Sequence, residues 1–445
     1  MQITASAKSL PAADAVRSTL GRHLLTDGYP IVLDMEASQG AYLRDAATGR
    51  DYVDFFTFYA SNPLGMNHPM LAGDSPEAQG FRERLMDAAL NKVANSDVYT
   101  PHYARFVETF DRVGIPAELP HAFFVSGGAL AVENALKVAF DWKVRKNKRK
   151  GYSGERGSMV MHFREAFHGR SGYTMSLTNT DPNKVAGYPK FDWPRISNPK
   201  IRGGDVGARE DLAVRQMKQA FLDHPDEIAA IILEPIQGEG GDNHFRPEFF
   251  QTLRQLADEN DALLVFDEVQ TGVGLTGSFW AWQGLGVAPD VMAFGKKTQV
   301  CGILAGPRVD EVDDNVFQKS SRINSTWGGN LVDMVRFDRI LEAIEAEDLI
   351  GNVQVQGEHL QARLAQMAER YDGVTDPRGR GLFCAFDLPD TATRNAVIQR
   401  AYDDGLIALG CGPRTIRFRP ALTIAQADLD TGLDILDGAL AATLD

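Results

Sequence analysis

The segment Pro289-Asp290-Val291-Met292-Ala293-Phe294-Gly295-Lys296-Lys297 ends an apolar run on a glycine and two lysines. The run reads as a buried strand. Burial penalises an ammonium, so the pKa of a lysine placed there falls and its free amine becomes available. A free amine is what holds an aldehyde cofactor as a Schiff base. Upstream, Asp261-Ala262-Leu263-Leu264-Val265-Phe266 runs into Asp267-Glu268-Val269-Gln270. A carboxylate ending one strand and a lysine ending the next fit pyridoxal phosphate, whose pyridinium nitrogen needs an acid partner.

Other segments offer matching chemistry. In Phe124-Val125-Ser126-Gly127-Gly128-Ala129-Leu130 a strand gives way to glycines and then a helix. Backbone N–H groups there can close around a phosphate, aided by the helix dipole, although a plain strand-to-helix turn looks the same. Ala166-Phe167-His168-Gly169-Arg170 offers a ring to stack on a flat cofactor and an arginine to grip a carboxylate. The blander alternatives are a core phenylalanine beside a satisfied histidine, and a surface ion pair. Glu239, in Glu234-Pro235-Ile236-Gln237-Gly238-Glu239-Gly240-Gly241, would repel a bound carboxylate unless an arginine pairs with it. In Asn324-Ser325-Thr326-Trp327-Gly328-Gly329-Asn330, Thr326 and nearby amides can bind an anion, or Asn330 can simply cap the next helix. Strand alternation in Arg414-Thr415-Ile416-Arg417-Phe418-Arg419 puts Arg417 and Arg419 on one face, so spacing does not choose between them. Gly272-Val273-Gly274-Leu275-Thr276-Gly277 matches a dinucleotide fingerprint, but Ser278-Phe279-Trp280-Ala281-Trp282 is no helix start and Asp290 begins a strand instead of ending one.

Positioning these groups takes a regular frame. His121 to Val125, Ser158 to Phe163, Ile228 to Leu233, Leu263 to Phe266 and Val291 to Phe294 read as strands, several apolar on both faces. Helical stretches at Ala131 to Arg145, Leu212 to Leu222 and Arg246 to Glu259 alternate with them. That is an α/β pattern, a mostly parallel sheet covered by helices. Tyr42 to Asp54 reads as a hairpin turning at Ala47-Thr48-Gly49. After about Leu331 the chain turns helical, with strands near Gly381 to Leu388 and Thr415 to Arg419 and a last helix over Ile424 to Leu444. The expected division is an N-terminal arm and part of a small domain over 1–60, a large domain over 61–330, and the rest of a small α+β domain over 331–445.

The chain has 445 residues, 44% hydrophobic and 24% charged, with a formal net charge of -14. This acidity argues against nucleic acid or an anionic membrane as partner. Cys301, Cys384 and Cys411 are far apart, with no metal-ligand or disulfide spacing. Met1-Gln2-Ile3-Thr4-Ala5 lacks the features of a signal peptide, and no apolar run reaches the roughly 18 residues of a membrane span. A cytoplasmic protein without a metal is expected.

Taken together, the motifs resemble the class III, or omega, aminotransferases of PLP fold type I, over nearly the whole chain. The resemblance implies an aspartate-aminotransferase-like fold and a homodimer with its active sites at the subunit interface. It implies that Lys296, rather than Lys297, holds the aldehyde of pyridoxal 5'-phosphate, and that Asp267 partners the ring nitrogen. Gly128 and Ala129 fall where the family binds phosphate and Phe167 where it stacks a ring, with Val269 also against the cofactor. Gln270 falls near the phenolic oxygen and the substrate. Thr326 falls where the neighbouring subunit contacts the phosphate. Arg417 matches the arginine for the α-carboxylate of 2-oxoglutarate, and Glu239 the glutamate that masks it; Arg170 is the candidate for a distal carboxylate. Gly128-Ala129-Leu130 stands where the family commonly has Gly-Thr-Glu, which shifts phosphate binding onto backbone groups and Thr326. Ala89-Leu90-Asn91-Lys92, Asn95-Ser96-Asp97-Val98-Tyr99, Phe167 to Tyr173 and Gly295 to Gly302 are similar to the subgroup acting on the ε-amine of L-lysine. Transfer of that amine to 2-oxoglutarate is therefore expected. Ornithine, 4-aminobutyrate or 2,4-diaminobutyrate are the alternative donors, and a non-catalytic PLP-binding regulatory protein is the alternative class.

Overall fold

The computed structural model describes residues 10–444. The expectation made for Met1 to Ala5 lies outside them. At the centre is a seven-stranded sheet in the spatial order His121–Val125, Cys301–Ala305, Val291–Phe294, Leu263–Asp267, Ile228–Leu233, Met159–Phe163, Arg195–Ile196. Neighbours from Val291–Phe294 to Arg195–Ile196 pair in parallel. Cys301–Ala305 alone runs the other way, antiparallel to the strands on either side.

Alternation divides the strand residues between two cores. Met161, Ile231, Leu264, Phe266, Met292 and Phe294 face one cluster, while Val160, Ile232, Leu263, Val265, Val291 and Ala293 face the other. Helix Pro247–Glu259 covers the first face with Phe249, Phe250 and Leu253; helix Gly128–Arg149 covers the second with Val132, Leu136 and Trp142. Both faces are buried, so these strands are apolar throughout. Each fully buried Val, Leu, Ile or Phe side chain contributes about 1.5–3 kcal/mol, enough to fix strand register to the residue.

Two smaller sheets join the ends of the chain. Leu33–Gln39, Tyr42–Asp45 and Asp51–Asp54 form one, completed by Leu406–Ile407 in parallel with Asp51–Asp54. The expected hairpin turns where Asp45 accepts from the N–H groups of Val32 and Ala47 and from the Thr48 hydroxyl, with Gly49 at φ 71°. Thr375–Arg380, Phe383–Asp387, Thr415–Phe418 and Leu409–Cys411 form the other, with helix Leu349–Arg370 packed on its first two strands, while helix Gln426–Leu444 packs against Asp51–Asp54 and Leu406–Ile407. Strands Leu33–Gln39, Arg195–Ile196, Cys301–Ala305, Thr375–Arg380, Leu406–Ile407 and Leu409–Cys411 lie where none was expected. Among the described residues no helix is long and apolar enough to cross a membrane.

Candidate active site

The parallel strands all end on one edge of the sheet, where open α/β sheets bind ligands. Asp267 is the last residue of its strand, and Lys296 follows the next strand by two. Around them opens a cavity of about 490 Å³. Gly128, Ala129, Phe167, Arg170 and Glu239 line it, as do Asp267, Val269, Gln270 and Lys296.

Lys296 sits at φ 54°, left-handed backbone that a non-glycine residue adopts at a cost of about 1–2 kcal/mol. It lies in the tight connection between Val291–Phe294 and the reversed strand Cys301–Ala305. Burial lowers its pKa; Arg417 lowers it further, against opposing effects of Glu239 and Asp267. Lys297 is also buried but does not line the cavity: its Nζ donates to the Gln270 carbonyl at 2.6 Å. It ties together two strand ends.

Asp267 Oδ2 lies 2.8 Å from His168 Nδ1, and its Oδ1 accepts from the Val269 N–H at 3.1 Å. His168 is only half-satisfied, because its buried Nε2 has no partner among the described residues. Glu234, beneath the same loop, accepts from the N–H groups of Phe167 and Gly238. Burial pushes its pKa up to about 7. It thereby fastens the Phe167 and Glu239 loops to one strand end.

The strand His121–Val125 gives way to glycines and a helix, as read. Helix Gly128–Arg149 begins with Gly127 at φ 110°, and no side chain caps it. Its first N–H groups therefore remain open to an anion. A Cβ on Gly169 would come within 2.5 Å of the Ala129 Cβ, so small residues here let two loops meet.

Arg417 and Arg419, undivided by spacing, have different partners. Arg417 Nη2 is 2.8 Å from Glu239 Oε2. Arg419 grips buried Asp242 with both Nη groups, at 2.6 and 3.0 Å, and donates to Gln270 Oε1 from Nη2 at 2.9 Å. Burial raises the Glu239 pKa, but Arg417 and Lys184 outweigh it and hold the carboxyl at about 2.

Thr326 lies elsewhere. It is exposed on the turn before helix Leu331–Ala346 and is no part of this cavity. Asn330 does not cap that helix: its side chain makes no cap bond and accepts from Lys92 Nζ at 2.6 Å. The Gly272 to Gly277 stretch forms turns without opening a helix, and Asp290 pairs with Arg254 and Arg308.

Tyr59 and Lys184 also line the cavity, unforeseen from the sequence. Tyr59 belongs to a left-handed turn, Thr57–Ala60, whose φ values are 39°, 54°, 60° and 64°. The Thr57 hydroxyl donates to the Arg419 carbonyl at 2.6 Å, and Asp54 Oδ1 accepts from the Phe56 and Thr57 N–H groups. The turn contains no glycine, so nothing in its sequence announces it. Lys184 had no motif around it; only the fold brings it to Glu239.

A strand-end lysine, a buried acid and an open helix start thus meet around one cavity at the strand ends of an α/β sheet. The chain matches the family model described as Aminotransferase class-III over residues 26–440, and it belongs to that family. It is 58% identical over 433 residues to an L-lysine-epsilon aminotransferase of Mycobacterium tuberculosis (strain ATCC 25618 / H37Rv), covering 96% of this chain and 95% of that one. The similar enzyme of Amycolatopsis lactamdurans is 54% identical over 440 residues, 97% of each chain. A solved structure, lysine aminotransferase from M. tuberculosis in the internal aldimine form, superposes with a TM-score of 0.95 at 57% identity. That match covers 97% of this chain and 100% of the other.

Proposed function

We propose that the chain transfers the ε-amino group of L-lysine to 2-oxoglutarate, with pyridoxal 5'-phosphate as cofactor. The products are L-glutamate and 2-aminoadipate 6-semialdehyde, which cyclises to piperideine-6-carboxylate. The observation that carries the proposal is the Glu239–Arg417 pair, which shares a cavity with Lys296 and Asp267. The high identity to L-lysine-epsilon aminotransferases supports the choice of amine.

The donor set fits the cofactor. The uncapped helix start at Gly128 and Ala129 suits its phosphate, and Asp267 its ring nitrogen. Phe167 and Val269 would flank the ring, Gln270 would reach its phenolic oxygen, and Lys296 its aldehyde. When bound, pyridoxal phosphate supplies an electron sink that acidifies the Cε–H bond of the donor. Asp267, oriented by His168 and the Val269 N–H, keeps a proton on the ring nitrogen. Lys296 Nζ, its pKa lowered by burial, is the base that takes the Cε proton.

The two amino partners place different demands on one cavity. Lysine brings a distant carboxylate, which Arg170 at the exposed rim receives. An unpaired Arg417 beside lysine's methylenes would be a desolvated charge, and Glu239 neutralises it. 2-Oxoglutarate brings two carboxylates: Arg170 takes the distal one and Arg417 the α-carboxylate, once Glu239 has moved.

The site is completed by a second copy. Leu90, Val98, Tyr99 and Trp327 are 73%, 60%, 76% and 41% exposed on two segments joined where Ser96 Oγ donates to the Thr326 carbonyl, apolar surface suited to burial between subunits. In the homodimer Thr326 contacts the phosphate held by the partner. The acidic chain works on small molecules in the cytoplasm.

The test is a half-reaction spectrum of the holoenzyme with L-lysine, with the product identified by mass spectrometry. Loss of the aldehyde-form absorbance and a cyclised C6 product are expected. Faster turnover with ornithine, 4-aminobutyrate or 2,4-diaminobutyrate would sink the lysine assignment. No absorbance change with any amine would point to a non-catalytic protein.

A further inference from the structure

Glu239 has two cationic partners. Its Oε2 meets Arg417 Nη2 at 2.8 Å, while its Oε1 meets Lys184 Nζ at 2.5 Å. The two cations stand at different depths: the Arg417 side chain is 2% exposed and that of Lys184 27%. Lys184 ends the short helical turn Pro182–Lys184, whose start is fixed by Asp181 accepting from the Asn183 N–H at 2.9 Å. Its ammonium lies 5.4 Å from the centre of the Phe167 ring, which further restrains it at the cavity mouth.

We propose that Lys184 is the berth that receives Glu239 when a dicarboxylate claims Arg417. The inference rests on the reading of Arg417 as the α-carboxylate site. For that carboxylate to bind, Glu239 must give up Arg417. A carboxylate released into a part-buried cavity with no cation beside it loses its water without compensation. Lys184 removes this penalty, because Oε1 is already paired and a small side-chain rotation keeps that contact. The exchange becomes one carboxylate for another at Arg417, with Glu239 still neutralised. Lysine makes no such demand, since Glu239 then stays on Arg417. Lys184 is thus a positioning residue that acts through Glu239 on the choice of amino acceptor.

The test uses holoenzyme carrying Lys184→Met, Lys184→Arg, Glu239→Ala, and the Glu239→Ala/Lys184→Met double change. Each half-reaction is followed separately by stopped-flow absorbance. Glutarate, a dicarboxylate with no reacting carbon, is titrated by calorimetry. Lys184→Met should weaken 2-oxoglutarate and glutarate about 10-fold while changing the apparent affinity for lysine by less than about 3-fold, and Lys184→Arg should restore most of the loss. In the Glu239→Ala background Lys184→Met should have almost no further effect, because the group it receives is gone. Equal losses for lysine and 2-oxoglutarate, or a loss that persists without Glu239, would mean that Lys184 touches substrate directly and would overturn the proposal. No loss in Lys184→Met overturns it as well. Lys184→Gln, at the same half-exposed rim, gives the same reading if methionine disturbs the turn. Failure of the underlying assignment looks different: Arg417→Lys would leave glutarate binding intact whatever Lys184 does.

Discussion

In the proposed function the Glu239 carboxylate, 2.8 Å from Arg417, decides what that arginine can bind. Glu239→Ala should slow the lysine half-reaction about 10- to 100-fold, since a desolvated guanidinium then faces lysine's methylenes, while the glutamate half-reaction is largely kept. An unchanged lysine-to-glutamate ratio would remove Glu239 from this role. Because Arg417 and Lys184 hold the Glu239 carboxyl at about 2, the proposed switch would work by displacement and not by titration, so that ratio should stay constant between about pH 6 and 9. The adjacent lysines make a second test. Reduction of the holoenzyme with borohydride, then peptide mass spectrometry, should place the pyridoxyl label on Lys296; a label on Lys297 would contradict the geometry, in which Lys297 Nζ is spent on the Gln270 carbonyl. Asp267 and Lys296 were legible because strand ends expose polar residues at the end of apolar runs. Lys184 and Tyr59 were not, since each reaches the cavity from a loop whose position depends on contacts distant in sequence.

Among the elements, the reversed strand Cys301–Ala305 does the most to aim Lys296. It pairs Gly302 with Phe294 and so fixes the short connection that carries the lysine. A Cβ on Gly302 would fall 2.3 Å from the Phe123 carbonyl oxygen and 2.6 Å from the Phe294 ring. Gly302→Ala should therefore cost about 1–3 kcal/mol of stability and, by shifting the strand, reduce cofactor retention. Thermal unfolding with and without added pyridoxal phosphate checks both effects; an unaltered midpoint would show that the strand yields freely. Ile228–Leu233 and Val291–Phe294 ended where they were read, because runs buried on both faces stand out against amphipathic helices. Cys301–Ala305 was hidden because only six residues separate it from the strand before, and Leu33–Gln39 because its largely polar pattern carries little apolar signal.

For the molecule as a whole, buried titratable groups set the acid response. Burial, helped by nearby arginines, pushes His162 and His244 down to about 3, so they stabilise the fold above 6.5 and lose that contribution as pH falls. Burial pushes Asp54 up to about 6 and Glu234 and Glu268 up to about 7; these bind protons first in the folded chain and favour it as pH falls toward 4. The opposed slopes, each about 1.4 kcal/mol per pH unit per group, cancel two against two between about pH 6 and 6.5 and leave one carboxyl uncancelled between about pH 4.5 and 6. The melting temperature should rise slightly on acidification from about pH 6 to 4.5 and fall steeply below about pH 4, where the histidines and Glu239 act unopposed. His244→Gln should make it rise more steeply on acidification from about pH 6.5 to 4.5; a slope identical to that of the unaltered chain would refute this account. The layered α/β frame was readable because periodicity is local, whereas the closure of the two ends on one another was visible only as a change of pattern. That closure has a consequence for biosynthesis. The Thr57–Ala60 turn is held by the Arg419 carbonyl, 362 residues away, and Asp51–Asp54 waits for Leu406–Ile407. A nascent chain emerging from the ribosome can complete its large sheet long before these partners exist. Tyr59 therefore takes its place over Lys296 only after nearly the whole chain has been made, and a protein truncated before residue 400 would keep its lysine but never finish the wall in front of it.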